Sequence, residues 1–271
     1  MRLLIIGGDE RNRCLAALAR AHGHTAQLAG HDEIPLFQAC PSSHVVLPFP
    51  VAETQGLAPA PLSAERLPME AVCALCKPHG TVYATRPGPI LREYILRQSL
   101  IRIDFTNSEA FTLRNAAVSA EGAIHALMTK AKACLYASDC LIVGYGRIGR
   151  LMAARLRGLG ARVVVAARSG MARVSAETDG CKAIPLEQMA EARCRFLINT
   201  VPAQVIGPEV LSGLGPGVLA LDVASEPFGF DLDMAQAAGM TAWREPGLPG
   251  RYAPETAAAA MLELIEEKDG A

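Results

Sequence analysis

The chain has 271 residues, 26 of them Lys or Arg and 27 Asp or Glu, and its formal charge of −1 leaves no cationic surplus for a nucleic acid or an anionic membrane surface. Hydrophobic residues make up 51%, too many for a disordered chain and enough for a core. At roughly 150 residues per domain, about two domains are expected.

The amino terminus, Met1-Arg2-Leu3-Leu4-Ile5-Ile6-Gly7-Gly8-Asp9, carries an apolar run too short for a signal-peptide core. No segment approaches the roughly 20 apolar residues that span a bilayer. A cytoplasmic protein without nucleic-acid or membrane partners is therefore expected. The eight cysteines are scattered and read as reduced thiols; Cys73-Ala74-Leu75-Cys76 lacks the second pair that a zinc site needs, and reads as packing. No metal site is expected.

Apolar stretches at 3–6, 44–49, 81–84, 141–143, 162–166, 196–199 and 218–223 alternate with helical segments. That alternation predicts an α/β fold with parallel sheets covered on both faces. An internal similarity sharpens it: Ile5-Ile6-Gly7 through Gly23 overlies Ile142-Val143-Gly144 through Gly160 at a constant offset of 137 residues. Two doubly wound parallel-sheet domains are predicted, the second a Rossmann dinucleotide-binding domain. The prolines between 48 and 68 predict an irregular loop in the first.

The boundary is expected near 115, where residues 115–137 read as one connector helix with a buried stripe of Ala120, Ala123, Ile124, Leu127 and Met128. Domains are thus expected at 1–114 and 138–253. A last helix, 254–268, has Pro254 at its start, Glu255 in its first turn and Lys268 near its end; the tail 254–271 can join the first domain.

Gly144-Tyr145-Gly146-Arg147-Ile148-Gly149 is GxGxxG directly after a strand and opening a helix. Gly144 permits the tight turn, Gly146 lets backbone approach a pyrophosphate, and Gly149 lets helix and strand pack closely. The first copy has Asp9 and Asn12 at its second and third glycine positions and is not expected to bind a dinucleotide. Asp9 and Arg11 there can meet a polar substrate, or Asp9 can simply cap a helix.

Cofactor choice is read after the second strand, at Ala167-Arg168-Ser169. A carboxylate there would hold a ribose 2′-hydroxyl; Arg168 and Ser169 instead suit a 2′-phosphate, so NADP is expected over NAD. Further strand ends at Thr200-Val201-Pro202, at Ala224 and at Leu248-Pro249 are expected to complete the cofactor pocket, each with the alternative of a plain turn.

All six histidines, from His22 to His125, precede the glycine loop, which weighs against an ordinary 2-hydroxy acid dehydrogenase with its imidazole after the cofactor domain. Glu121, amid small residues in Ser119-Ala120-Glu121-Gly122-Ala123 on the connector, can face a cleft or can face solvent. Arg11, Arg86, Arg114 and Arg251 are cationic candidates for a carboxylate substrate.

Taken together, these strings resemble the A subunit of bacterial dipicolinate synthase over nearly the whole chain. They are Ile6-Gly7-Gly8-Asp9-Glu10-Arg11, Asn115 with Ser119-Ala120-Glu121-Gly122-Ala123-Ile124, the glycine loop, Ala166-Ala167-Arg168, Asn199 through Ala203, Leu221 through Ser225, and Pro246-Gly247-Leu248-Pro249-Gly250. The resemblance implies a sporulation oxidoreductase of the mother-cell cytoplasm. It implies an NADP-linked subunit that, with a flavoprotein-like B subunit, converts a tetrahydrodipicolinate precursor from the lysine pathway into dipicolinate. The substrate would be a small dicarboxylate, with Glu121, Ser119, Asp9, Arg11 and Arg86 as the candidate catalytic residues, and a homo-oligomer is expected. Departures from the family pattern are Ser119 for Thr, Pro227-Phe228-Gly229 for Pro-Gly-Gly, and unusual Gln204 and Tyr252. Two other readings stay open: an NADP-dependent enzyme of the 2-hydroxy acid dehydrogenase type, and a non-catalytic dinucleotide-binding regulatory subunit.

Overall fold

A computed structural model describes residues 1–270. In chain order its elements begin with β1 (Arg2–Ile6), α1 (Glu10–Ala21), β2 (Thr25–Ala29), β3 (Ser42–Val46), α2 (Met69–Cys73), β4 (Cys76–Tyr83), α3 (Pro89–Arg97), β5 (Ile101–Ile103) and α4 (Glu109–Ala131). They continue with β6 (Asp139–Val143), α5 (Arg147–Gly158), β7 (Arg162–Ala166), α6 (Gly170–Thr178), β8 (Lys182–Ile184), β9 (Phe196–Asn199) and α7 (Pro208–Leu214). Last come β10 (Leu219–Asp222), α8 (Leu232–Ala237), β11 (Thr241–Arg244), α9 (Leu248–Tyr252) and α10 (Pro254–Asp269). Two compact units result, one of Met1–Asn115 with Pro249–Ala271 and one of Ala116–Leu248.

The first unit holds a five-stranded parallel sheet in the order β2-β1-β3-β4-β5. Its winding reverses between β1 and β3, as in a doubly wound sheet. Alternate residues of β1 feed two cores, as the two-residue period of a strand requires. Leu3 and Ile5 pack with Leu15 and Ala19 of α1 and with Met261 and Ile265 of α10. Leu4 and Ile6 pack with Met69 and Val72 of α2 and with Leu91 of α3. The tail helix therefore supplies one face of this core. Its Glu266 also meets the rings of His22 and His24 at 3.0 and 2.9 Å, and the His24 contact holds that carboxyl below its usual range.

The second unit holds a six-stranded parallel sheet in the order β11-β10-β9-β6-β7-β8. This is the Rossmann order, two βαβαβ halves meeting at β6 and β9. The β1-α1-β2 and β6-α5-β7 segments have matching bounds at the 137-residue offset seen in the sequence.

Four strands escape the sequence reading: β2, β5, β8 and β11. The connector helix also begins and ends six residues earlier than expected, at Glu109 and Ala131. Ser108 starts it by accepting the Phe111 N–H at 3.2 Å, and Lys132 ends it in left-handed backbone (φ 44°). Ala120, Ala123, Ile124 and Leu127 are buried, whereas Met128 is exposed and leaves the expected stripe. Cys73 closes α2 and Cys76 opens β4; both are buried, and burial pushes their thiols up to about 12, as packing residues require.

Ile265→Ala should measure the worth of the tail helix. Removing a fully buried branched side chain from this core costs about 2–5 kcal/mol. The expected outcome is a lowered urea midpoint at unchanged slope.

Candidate functional site

At the carboxyl end of β6 the chain turns sharply through Gly144 (φ 95°) into α5. A Cβ on Gly144 would lie 2.6 Å from both Thr200 Oγ1 and Val201 Cγ2, and one on Gly149 would overlap the Gly144 carbonyl oxygen. These two positions admit no side chain. Gly146 differs, since a Cβ there meets no protein atom within 4 Å. It N-caps the twelve-residue α5 without a side-chain hydrogen bond, and the first turn holds no acid. The amino end of α5 with its positive dipole end and the open space in front of Gly146 fit a pyrophosphate.

The turn is backed by the loops after β9 and β10. Thr200 Oγ1 donates to the Val143 carbonyl at 2.9 Å, directly behind the glycines. Asn199 is fully buried; its amide donates to the Val201 carbonyl and to Asp222 Oδ1 at 2.9 and 2.8 Å, and its oxygen accepts the Val201 N–H at 3.1 Å. Asp222, also buried, accepts from the Ala224 N–H at 3.0 Å and the Gly229 N–H at 2.7 Å. Every strong hydrogen-bonding group of this Asn–Asp pair is thus engaged, and the pair holds residues 200–202 and 224–229 in place. Phe228 stands at φ 64°, in the left-handed region, with the Arg244 guanidinium 4.0 Å above its ring. That region favours glycine, and the cation–π contact holds the aromatic ring in this backbone conformation.

At the end of β7, Ala167 is buried while Arg168 and Ser169 are exposed. Ser169 caps α6 by accepting the Ala172 N–H at 3.5 Å. Sequence reasoning missed Arg173, whose Nη1 donates to the carbonyls of Ala167 and Arg168 at 2.8 and 2.9 Å. Its spacing, one helical turn past Ser169, was the available signal. Tyr145 turns its hydroxyl to Asp179 at 2.8 Å. Partial burial and that carboxylate raise the phenol above its ordinary range, while Tyr145 and Arg150 hold Asp179 below its own. The Tyr145 side chain thus ties the glycine loop to the end of α6.

Gly144 to Gly149 with Arg147 and Ile148, Arg168, Ser169, Thr200, Val201, Pro202 and Ala224 all follow the carboxyl ends of β6, β7, β9 and β10, where an open parallel sheet takes its ligands. Leu248 and Pro249 open α9, where the chain passes from the second unit to the first.

In the first unit the equivalent turn is filled by the chain itself. Asp9 caps α1 by accepting the Arg11 N–H at 3.0 Å, so the capping alternative is the geometry present. Arg11 is 3% exposed and gives its guanidinium to both Asp9 oxygens and to the Phe49 carbonyl. Asn12 lies against Gly8 and reaches the Ile6 carbonyl at 3.1 Å, and Leu67 covers Gly7 and Gly30. Arg86 is exposed in left-handed backbone (φ 48°) and pairs with no carboxylate among the described residues. Arg114 pairs with Glu263. On α4, Ser119 is buried whereas Glu121 is exposed and meets Arg155 at 2.9 Å, so the two do not share a face. Among the described residues no group of three or more His, Cys, Asp or Glu could hold a metal, and no helix is long and apolar enough to cross a membrane.

Fold and turn together define a dehydrogenase-type dinucleotide-binding domain, and residues 113–224 match the D-isomer specific 2-hydroxyacid dehydrogenase, NAD binding domain family. The likeness of the whole chain is narrower: it is 26% identical to the A subunit of dipicolinate synthase of Bacillus subtilis (strain 168), over 98% of this chain and 95% of that one. Two solved structures share the fold from end to end. The dipicolinate synthase A subunit from Bacillus halodurans matches at a TM-score of 0.86 and 23% identity, covering 98% of this chain and 96% of its own. Its counterpart from Bacillus subtilis matches at 0.82 and 23%, covering 100% and 96%. The resemblance drawn from the motif strings is borne out along the chain.

Gly146→Ala and Gly149→Ala should separate binding from folding. The first should keep its thermal midpoint and lose about tenfold or more in affinity for the pyridine dinucleotide, titrated with NADH and NADPH, because the methyl occupies the ligand's approach. The second should lower the midpoint, because its methyl meets backbone. Equal thermal losses in both would contradict this division.

Proposed function

We propose that this chain is the NADP-linked component of a dipicolinate synthase, acting with a flavoprotein-like B subunit on a tetrahydrodipicolinate-type precursor. The observation that carries the reading is the match to the A subunit of that enzyme over 98% of this chain. When bound, NADP would accept hydride; taking a tetrahydropyridine to a pyridine is a four-electron oxidation, so each ring would reduce two NADP and release two protons, with aromatisation making the overall oxidation favourable. In this reading the α5 terminus and Gly146 hold the pyrophosphate, and Thr200, Val201, Pro202 and Ala224 form the wall behind it. Arg168 and Ser169 favour a 2′-phosphate, and Ala167 brings no carboxylate to repel it. Arg86, exposed and without an ion pair among the described residues, suits a substrate carboxylate. Asp9 and Arg11 form a fixed pair at the edge of the first sheet, with Glu121 and Ser119 as further candidates for handling the substrate. The protein would work as a homo-oligomer in the mother-cell cytoplasm of a spore-forming bacterium.

The dehydrogenase family match favours one other reading, an enzyme acting on simple 2-oxo acids. The lack of any histidine beyond His125 counts against it, since interconverting a 2-oxo acid and its alcohol calls for an acid–base group at the carbonyl, most often an imidazole.

Reconstitution tests the proposal. The chain, a B subunit, the precursor and NADP should together yield a pyridine dicarboxylate, and omission of either protein should abolish it. No such product under any cofactor condition, or turnover of 2-oxo acids by the chain alone, would contradict it.

A further inference from the structure

The turn after β7 holds more cationic chemistry than the Arg168-Ser169 pair. Arg173 folds back across the amino end of α6, and its Nη1 bridges the carbonyls of Ala167 and Arg168 at 2.8 and 2.9 Å. On its other side the same turn is tied to β8, through the Ala167 N–H and the Ile184 carbonyl at 3.1 Å. The bridge does two things. It fixes the backbone from which Arg168 projects, and it neutralises two carbonyl oxygens that would otherwise repel an anion.

The second nitrogen of the fork is left over. A Cβ built on Gly170 would have Arg173 Nη2 as its one neighbour, at 3.8 Å, so this nitrogen lies beside a position without a side chain. Among the described residues neither Arg168 nor Arg173 pairs with a carboxylate, and Arg173 makes no side-chain bond beyond the two carbonyls. The Arg173 guanidinium, the Ser169 hydroxyl and the amino end of the nine-residue α6 thus lie at one strand end, from which the exposed Arg168 also extends. No acid opposes them in the first turn of that helix. A phosphate monoester carries nearly two charges and three acceptor oxygens, which two guanidinium forks and a helix terminus match.

We infer that Arg173 is a second specificity-determining residue of this chain, bracing the turn with one guanidinium nitrogen and offering the other to the 2′-phosphate of NADP. The inference rests on the NADP reading above and adds to it a residue and a division of labour. Arg168 supplies exposed charge, and Arg173 supplies charge fixed by the two carbonyls. Lysine cannot replace it fully, because an ammonium is a point charge and cannot bridge two carbonyls while presenting a second planar donor.

The test is calorimetric titration of the full chain and of its Arg168→Met, Arg173→Met and Arg173→Lys variants with NADPH, NADH and 2′,5′-ADP. The unaltered protein should bind NADPH more tightly than NADH. Arg173→Met should weaken NADPH and 2′,5′-ADP about tenfold and leave NADH within about twofold. Arg173→Lys, the milder change should the first variant not fold, should show a smaller loss confined to the same two ligands. Equal losses for NADPH and NADH would reduce Arg173 to a brace and overturn the inference, as would no loss for any ligand. Preference for NADPH that vanishes in Arg168→Met but survives in Arg173→Met removes the inference alone. Binding of NADH as tight as NADPH by the unaltered protein removes the NADP reading and the inference with it.

Discussion

The close approach of Gly149 to the Gly144 carbonyl governs the second unit. A single methyl on the helix would meet that oxygen, so α5 can sit against β6 only with hydrogen there. With α5 so placed, its uncapped terminus stands at the strand end, and Thr200 and Val201 close in behind Gly144. The buried Asn199 and Asp222 then fix the two loops that complete the wall. Each step is local, and together they convert a parallel sheet edge into a place for an anion.

The first unit shows what the same backbone does without that arrangement. Its β1-α1-β2 segment runs at a constant offset from β6-α5-β7, yet Asp9 caps the helix, Asn12 fills the space beside Gly8, and Leu67 covers Gly7 and Gly30. The donors that would meet a ligand are spent on the chain itself, the Arg11 N–H on the Asp9 carboxylate and the Gly8 N–H on the Pro59 carbonyl. Irregular backbone between β3 and α2, rich in proline, brings Leu67 and Pro59 over the sheet edge. One fold thus carries an open terminus in one copy and a sealed terminus in the other.

How much of this could be read from the residues follows from what each feature depends on. The seven strands legible in the sequence are the interior ones, buried on both faces and written as apolar runs. The four missed, β2, β5, β8 and β11, are the edges of the two sheets, where Arg102, Lys182, Thr241 and Arg244 interrupt the pattern. The glycine loop was legible because its constraint lies between residues five apart. The Asn199–Asp222 pair and the Arg173 bridge gave weaker signals, since the first joins strands 23 residues apart and the second depends on how a side chain folds back. The connector was legible as a helix but not in its ends, which Ser108 and the left-handed Lys132 decide. Arg11 read as a ready cation for a substrate, whereas its partner two residues away and the Phe49 carbonyl already hold it.

The contrast between the two copies is most directly tested by the stoichiometry of nucleotide binding to the intact chain. Calorimetry with NADPH should give one saturable site per chain, carried by the open turn at Gly146. Two equivalent sites, or no saturable heat with either pyridine nucleotide, would contradict the assignment of one open and one sealed terminus.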